Sequence, residues 1–142
     1  MKRLTLTSVV SVLLCVLIAA AALLTGCSTP TTYGDAEIVA RETCGTGSVT
    51  FTFTVINGEN KATVYTIKTD SENLRGALTE NGLIPAGNKG DLVNTVAGIT
   101  ADYSVDQSWW KLLENGEMAN YGVDDAGITE GISYAFVYTI GF

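Results

Sequence analysis

Val49-Thr50-Phe51-Thr52-Phe53-Thr54-Val55 alternates apolar and polar residues without a break, and this run limits the fold more than any other part of the chain. A period of two puts Val49, Phe51, Phe53 and Val55 on one face of a strand. Asn57-Gly58-Glu59-Asn60 then supplies turn residues, and Ala62-Thr63-Val64-Tyr65-Thr66-Ile67 alternates again, so the two runs predict a hairpin. A lone hairpin is at best marginal in water, so its apolar face requires a covering layer. The next segment offers one. Thr69-Asp70-Ser71-Glu72 fits a capping box, Leu74, Ala77 and Leu78 follow at helical spacing, and Asn81-Gly82 offers a left-handed stop. The pattern predicts a helix of about three turns lying on the sheet.

Strand signals return downstream. Leu92 to Ile99 reads as a short strand, and Trp109 to Glu114 and Glu117 to Tyr121 flank Asn115-Gly116, a strong two-residue hairpin signal. Ile132 to Ile140 closes the series, with Tyr134, Phe136 and Tyr138 sharing the core face. A hairpin, a helix and further strands give an α+β domain, β-grasp-like, with a mixed sheet packed on one helix. The intervening Gly87-Asn88-Lys89-Gly90 lacks the Gly-Lys-Ser/Thr sequence of a phosphate cradle and reads as a surface loop.

Ahead of the domain, Lys2-Arg3 precedes an apolar run from Leu4 to Leu24, the pattern of an export signal. The run is also long enough to span a bilayer. Leu24-Thr25-Gly26-Cys27 distinguishes the two readings, because it resembles the lipobox of bacterial lipoproteins. That resemblance implies cleavage after residue 26, lipid attachment at Cys27 and a protein held outside the cytoplasm at the cell membrane. Residues 1–26 are then a signal peptide. Residues 27–47, rich in Thr, Ser, Gly and Pro, read as a flexible tether about 25 Å long, and residues 48–142 form the domain.

Composition narrows the chemistry. The part after residue 26 keeps six basic residues against all 15 acidic ones, and the basic residues are scattered singly. Nucleic-acid binding needs clustered Lys and Arg and is not expected. There is no histidine, which removes the usual general base and the commonest transition-metal ligand. No zinc-site spacing occurs either. Asp124-Asp125 is the closest acidic pair, but it sits between Gly122 and Gly127 and reads as a turn. Cys44 is a lone thiol with no histidine to activate it. No enzyme activity is expected.

The hairpin from Val49 to Ile67, the helix from Thr69 to Gly82, Ser108-Trp109-Trp110 through Asn115-Gly116-Glu117, and Gly131 through Thr139 together resemble the transcobalamin-like C-terminal domain. The resemblance covers about residues 48 to 142. It implies a ligand-binding β-grasp domain and a corrinoid such as cobalamin as ligand. In the animal carriers of that family the small domain closes over cobalamin against a larger helical barrel. This chain has no such barrel, and Ile132 follows Gly131 where bacterial members often carry an acidic residue.

The tryptophan pair carries the site expectation. Neighbours on a strand point to opposite faces, so if one indole enters the core the other either faces solvent or lies under the Asp102 to Gln107 loop or the Asp124 to Gly131 turn. The reading places Trp110 inward and Trp109 outward, with Tyr103, Tyr121 and Asn115 bordering the same site. An outward indole on a rigid hairpin is a stacking anchor for a planar ligand or a partner. Two functions follow: a non-catalytic, lipid-anchored ligand-binding domain, or a surface module that binds a second envelope protein or a polymer.

Overall fold

The computed structural model describes residues 29–142. The expected signal peptide, residues 1–26, and Cys27 lie outside the described residues. Residues Thr31–Phe142 form one compact unit. Among the described residues no helix is long and apolar enough to cross a membrane.

The unit is mostly β, a curled mixed sheet with a few helical turns. In chain order the elements are β1 (Thr32–Tyr33), β2 (Ala36–Gly45), β3 (Val49–Ile56), β4 (Lys61–Thr69), α1 (Leu74–Glu80), β5 (Thr95–Val96), β6 (Ile99–Thr100), α2 (Tyr103–Asp106), β7 (Ser108–Glu114), β8 (Glu117–Met118) and β9 (Ser133–Ile140). The main sheet runs β1-β2-β4-β3-β9-β7-β8, with β5 and β6 apart as a small hairpin. The β2–β4 and β3–β9 pairings are parallel and the others antiparallel.

The expected hairpin forms, with Phe53 opposite Tyr65 and Phe51 opposite Ile67. Its core face meets Leu74, Ala77 and Leu78 of α1, Trp110 and Leu112 of β7, and Tyr134 and Phe136 of β9. Phe53 and Phe136 pack edge to face at 6.0 Å, an arrangement that suits the ring quadrupoles. One face of the sheet is therefore covered by α1 and the long connections. Among the described residues the opposite face has only a small cluster around Ala36, Ile56 and Ala62.

Three expectations need correction. The stretch read as a tether is largely sheet, since β1 and β2 occupy much of residues 27–47 and β2 pairs along its length with β4. A register shift between Ile38 and Ala40 interrupts the alternation there, which hides the strand from a period-two reading. Gly45 ends β2 at φ +77°, where an added Cβ would lie 2.2 Å from the Lys68 carbonyl oxygen. That glycine is required by a close backbone approach rather than by flexibility.

The helix also starts later than the capping box implies and is two turns long. Thr69 still belongs to β4, opposite Val49, and its hydroxyl bonds the Glu80 carboxylate. Asn73 caps instead, its Oδ1 accepting the Gly76 amide at 3.0 Å. Leu74 and Arg75 donate their amides to the carbonyls of Ala126 and Val123, so a distant loop satisfies the first turn. The stop is as read: Gly82 is left-handed, and the Gly82 and Leu83 amides return to Thr79 and Leu78 in a Schellman closure. Finally, Leu92 to Ile99 is not one strand. Ala97 and Gly98, both at positive φ, turn it back on itself between β5 and β6.

Candidate functional site

A groove of about 430 Å³ opens on the covered face of the sheet, lined among others by Trp110, Tyr121, Leu92, Val93 and Met118. Its floor follows from strand alternation. Trp110 and Leu112 of β7 and Phe136 of β9 point to the same face, and Trp110 packs edge to face on Phe136 at 6.1 Å and on Tyr138 at 5.4 Å. The indole N–H of Trp110 donates to the Asn94 carbonyl at 3.1 Å, which leaves the ring buried yet fixed at the groove. The rim is apolar and exposed, with Leu92 at 87% and Met118 at 65% of full accessibility.

One end of the groove is closed by an ion pair between chain segments 49 residues apart. Arg75 Nε reaches Asp124 Oδ1 at 2.6 Å and Nη2 reaches Oδ2 at 2.9 Å, a two-point carboxylate contact. The same Nη2 donates to the Asp91 carbonyl at 2.6 Å, and the Gly90 amide donates to Asp124 Oδ2 at 2.9 Å. The Arg75 hydrogen bonds, then that of Gly90, hold the Asp124 carboxyl down to about 2. A carboxylate committed in this way is no general base. The glycine loop accordingly spends an amide on a side chain of its own protein.

The expected site residues divide into three places. Trp110 faces inward and Tyr121 is half-buried, and both line the groove. Trp109 also borders the groove, while its indole N–H donates to the Gly141 carbonyl at 2.8 Å and its ring lies 6.2 Å from that of Phe142. Tyr103 belongs with this second group, 5.7 Å from Phe142. Asn115 sits at the hairpin tip, where its Oδ1 accepts the Ser133 amide at 3.1 Å and it lines a separate, more open hollow of about 620 Å³ with Tyr33 and Leu113. Sequence reasoning missed Arg75, Leu92 and Met118. No local pattern announces them, since each acquires its place through loops brought together in the fold.

Among the described residues no three His, Cys, Asp or Glu side chains gather as a metal site. Cys44 packs half-buried against the core, and burial, with Glu42 nearby, pushes its thiol up. It stays protonated and is a weak nucleophile.

No protein-family model matches the chain, and no curated protein matches it. Solved structures do. A protein of Ruminococcus gnavus ATCC 29149, proposed to bind metal, is 29% identical over 67% of this chain and all of its own, with a TM-score of 0.61. A haptocorrin crystallised with Cbi is 19% identical over 66% of this chain, with a TM-score of 0.47, and this chain spans a quarter of its length. The Ruminococcus protein and this chain thus share their architecture over most of the folded unit.

Proposed function

We propose that the chain is a membrane-anchored, extracytoplasmic lipoprotein whose folded unit is a non-catalytic ligand-binding domain. The groove is its binding site, and a corrinoid is its best named ligand. The observation that carries this reading is the groove itself: a fixed indole and a tyrosine on the floor and wall, with exposed Leu92 and Met118 at the mouth. Ligand sites are concave and mainly apolar with a few placed polar groups, and this one meets that description. Its size suits partial burial of a large flat molecule, leaving the rest for a second chain. The β-grasp-like, transcobalamin-like character comes from the sequence resemblance and supports the same choice. Asp124 is not free to take up the metal binding proposed for the Ruminococcus protein, because both of its carboxylate oxygens are already engaged.

Calorimetric titration of the full chain with cobalamin tests the proposal. Binding should raise the unfolding midpoint by mass action, by about 2.7 kcal/mol of stability at a hundredfold excess over Kd. Trp110→Ala and Met118→Asp should weaken it. Absence of heat and of any midpoint shift at saturating cobalamin would refute the corrinoid assignment.

A second reading, a surface module for an envelope protein, draws on the sheet edge. There β1 pairs only with Ala36 and Glu37 of the ten-residue β2, and a partly covered edge can accept a strand. Cross-linking that captures a partner in a Trp110→Ala chain would favour it.

A further inference from the structure

The hollow that Asn115 lines has a chemistry of its own. Val55, Leu112 and Tyr134 belong to the core under α1, so alternation turns their neighbours Ile56, Leu113 and Ser133 to the opposite face, where they line this hollow with Tyr33. In the sheet β1 and β7 stand five strand spacings apart, about 24 Å if it were flat. Lining one hollow from both strands requires the sheet to curl toward this face. Its apolar floor is continuous with the cluster of Ala36, Ile56 and Ala62, and its volume of about 620 Å³ lies within the range of small-molecule sites.

Around that floor the polar atoms have fixed roles. Asn60 donates its Nδ2 to the Asp35 carbonyl at 3.1 Å, which leaves its Oδ1 as an acceptor. Asn115 does the reverse: its Oδ1 accepts the Ser133 amide at 3.1 Å, which leaves its Nδ2 as a donor. Each backbone partner admits one orientation of the side-chain amide, so neither can flip to the other role. The Ser133 hydroxyl, able to donate and accept, and the Asp35 carboxylate, which only accepts, have no hydrogen-bond partner among the described residues.

These groups narrow the ligand class. Asp35 is the only charged side chain of the lining, so an anion is repelled. A simple cation would leave the Asn115 donor unmatched, and a purely apolar molecule would dehydrate every polar group without replacing its water. A neutral sugar ring meets all the requirements, because its C–H face can lie on apolar side chains and an aromatic ring while each hydroxyl both donates and accepts. We propose that the hollow binds an uncharged saccharide, its ring against Tyr33, Ile56 and Leu113 and its hydroxyls shared among Asp35, Asn60, Asn115 and Ser133. The site lies on the face of the sheet away from the groove, and neither depends on the other.

The full chain, applied to an array of neutral and anionic oligosaccharides and then titrated calorimetrically with maltotriose, mannotriose and chitotriose, provides the test. At least one neutral ligand should bind, and its sulfated or sialylated form should not. Equal binding of the free and polymer-attached ring would mark a small-sugar site, and binding of the attached ring alone a glycan polymer; either supports the proposal. Asn115→Asp keeps the acceptor for the Ser133 amide and exchanges the donor for a second acceptor, so it should weaken binding about tenfold with the unfolding midpoint preserved. Asn60→Gly removes the other amide at φ +58°, which glycine adopts without strain, and decides the matter should Asn115→Asp disturb the fold. No neutral oligosaccharide bound at about 1 mM would overturn the proposal. So would an anionic form bound as tightly as its neutral counterpart, or binding unchanged in both variants.

Discussion

Replacing Arg75 with methionine keeps most of the side-chain stem and removes the guanidinium that joins α1 to two loops. The side chains of Arg75 and Asp124 retain 11% and 14% of their accessibility. Exposed ion pairs contribute about 0 to 1 kcal/mol, whereas removing one partner of a buried pair costs about 3 to 5 kcal/mol. The low exposure and the two-point geometry put this pair near the lower end of the buried range. The bond to the Asp91 carbonyl is lost as well, so we expect a loss of about 3 kcal/mol. For a unit the length of Thr31–Phe142 the unfolding entropy is about 0.24 kcal/mol per kelvin, so the midpoint should fall by about 12 °C. Calorimetry of native, Arg75→Met, Asp124→Leu and doubly substituted chains completes a cycle. The double variant should be less destabilised than the sum of the singles, by about 2 kcal/mol. Hydrogen exchange in residues 88–92 and 122–125 should accelerate in both single variants. A loss below about 1 kcal/mol with no coupling would mean that the pair behaves as a solvated one, and the account of the closed groove end would be wrong.

The pH response follows from the same pair. Asp124 has its folded carboxyl lowered to about 2, so its stabilising share is complete above the unfolded value near 4 and disappears as pH falls toward 2. Asp124→Asn should flatten the stability profile between those limits in acid denaturation. Glu37, Asp70 and Asp106 are lowered too and should leave a residual slope. Thr54 is fully buried and its hydroxyl has no hydrogen-bond partner. Thr54→Val, nearly the same shape, should raise stability by about 1 kcal/mol in urea denaturation, and a loss would show that the hydroxyl is satisfied. Gly45→Ala should lower the midpoint by several degrees because its Cβ meets the Lys68 carbonyl oxygen at 2.2 Å, whereas a glycine in a flexible tether would accept the change.

Local chemistry explains what could be read from sequence. The β3–β4 hairpin, the Asn115-Gly116 turn and the Gly82 stop each depend on residues within a few positions of one another, and all three form. Strand parity put the two indoles on opposite faces but did not say which faced the core, since Leu112 accompanies Trp110 and Leu113 accompanies Trp109; Trp110 is the buried one, and Trp109 is half-buried against Phe142. The first strands escaped because β2 presents Glu37, Val39, Arg41 and Glu42 to solvent around a register shift. Its composition therefore matches that of a linker. The helix start was misplaced because Thr69, Asp70 and Ser71 can cap equally well on paper, while pairing with Val49 kept Thr69 in the strand. The groove was half legible: its indole came from the strand pattern, but Arg75, Leu92, Met118 and Asp124 meet only after loops from distant parts of the chain have closed over the sheet.

The β3–β9 pairing sets a timetable for assembly. Thr52 lies beside Ser133 and Ile56 beside Val137, so the centre of the sheet stays open until β9, about 80 residues after β3, has been made. Non-local parallel pairing of this kind is slow to nucleate and leaves a sticky interior edge exposed meanwhile. The early β3–β4 hairpin is thus a waiting template, and premature stop codons anywhere before β9 should yield aggregates rather than a shortened working domain.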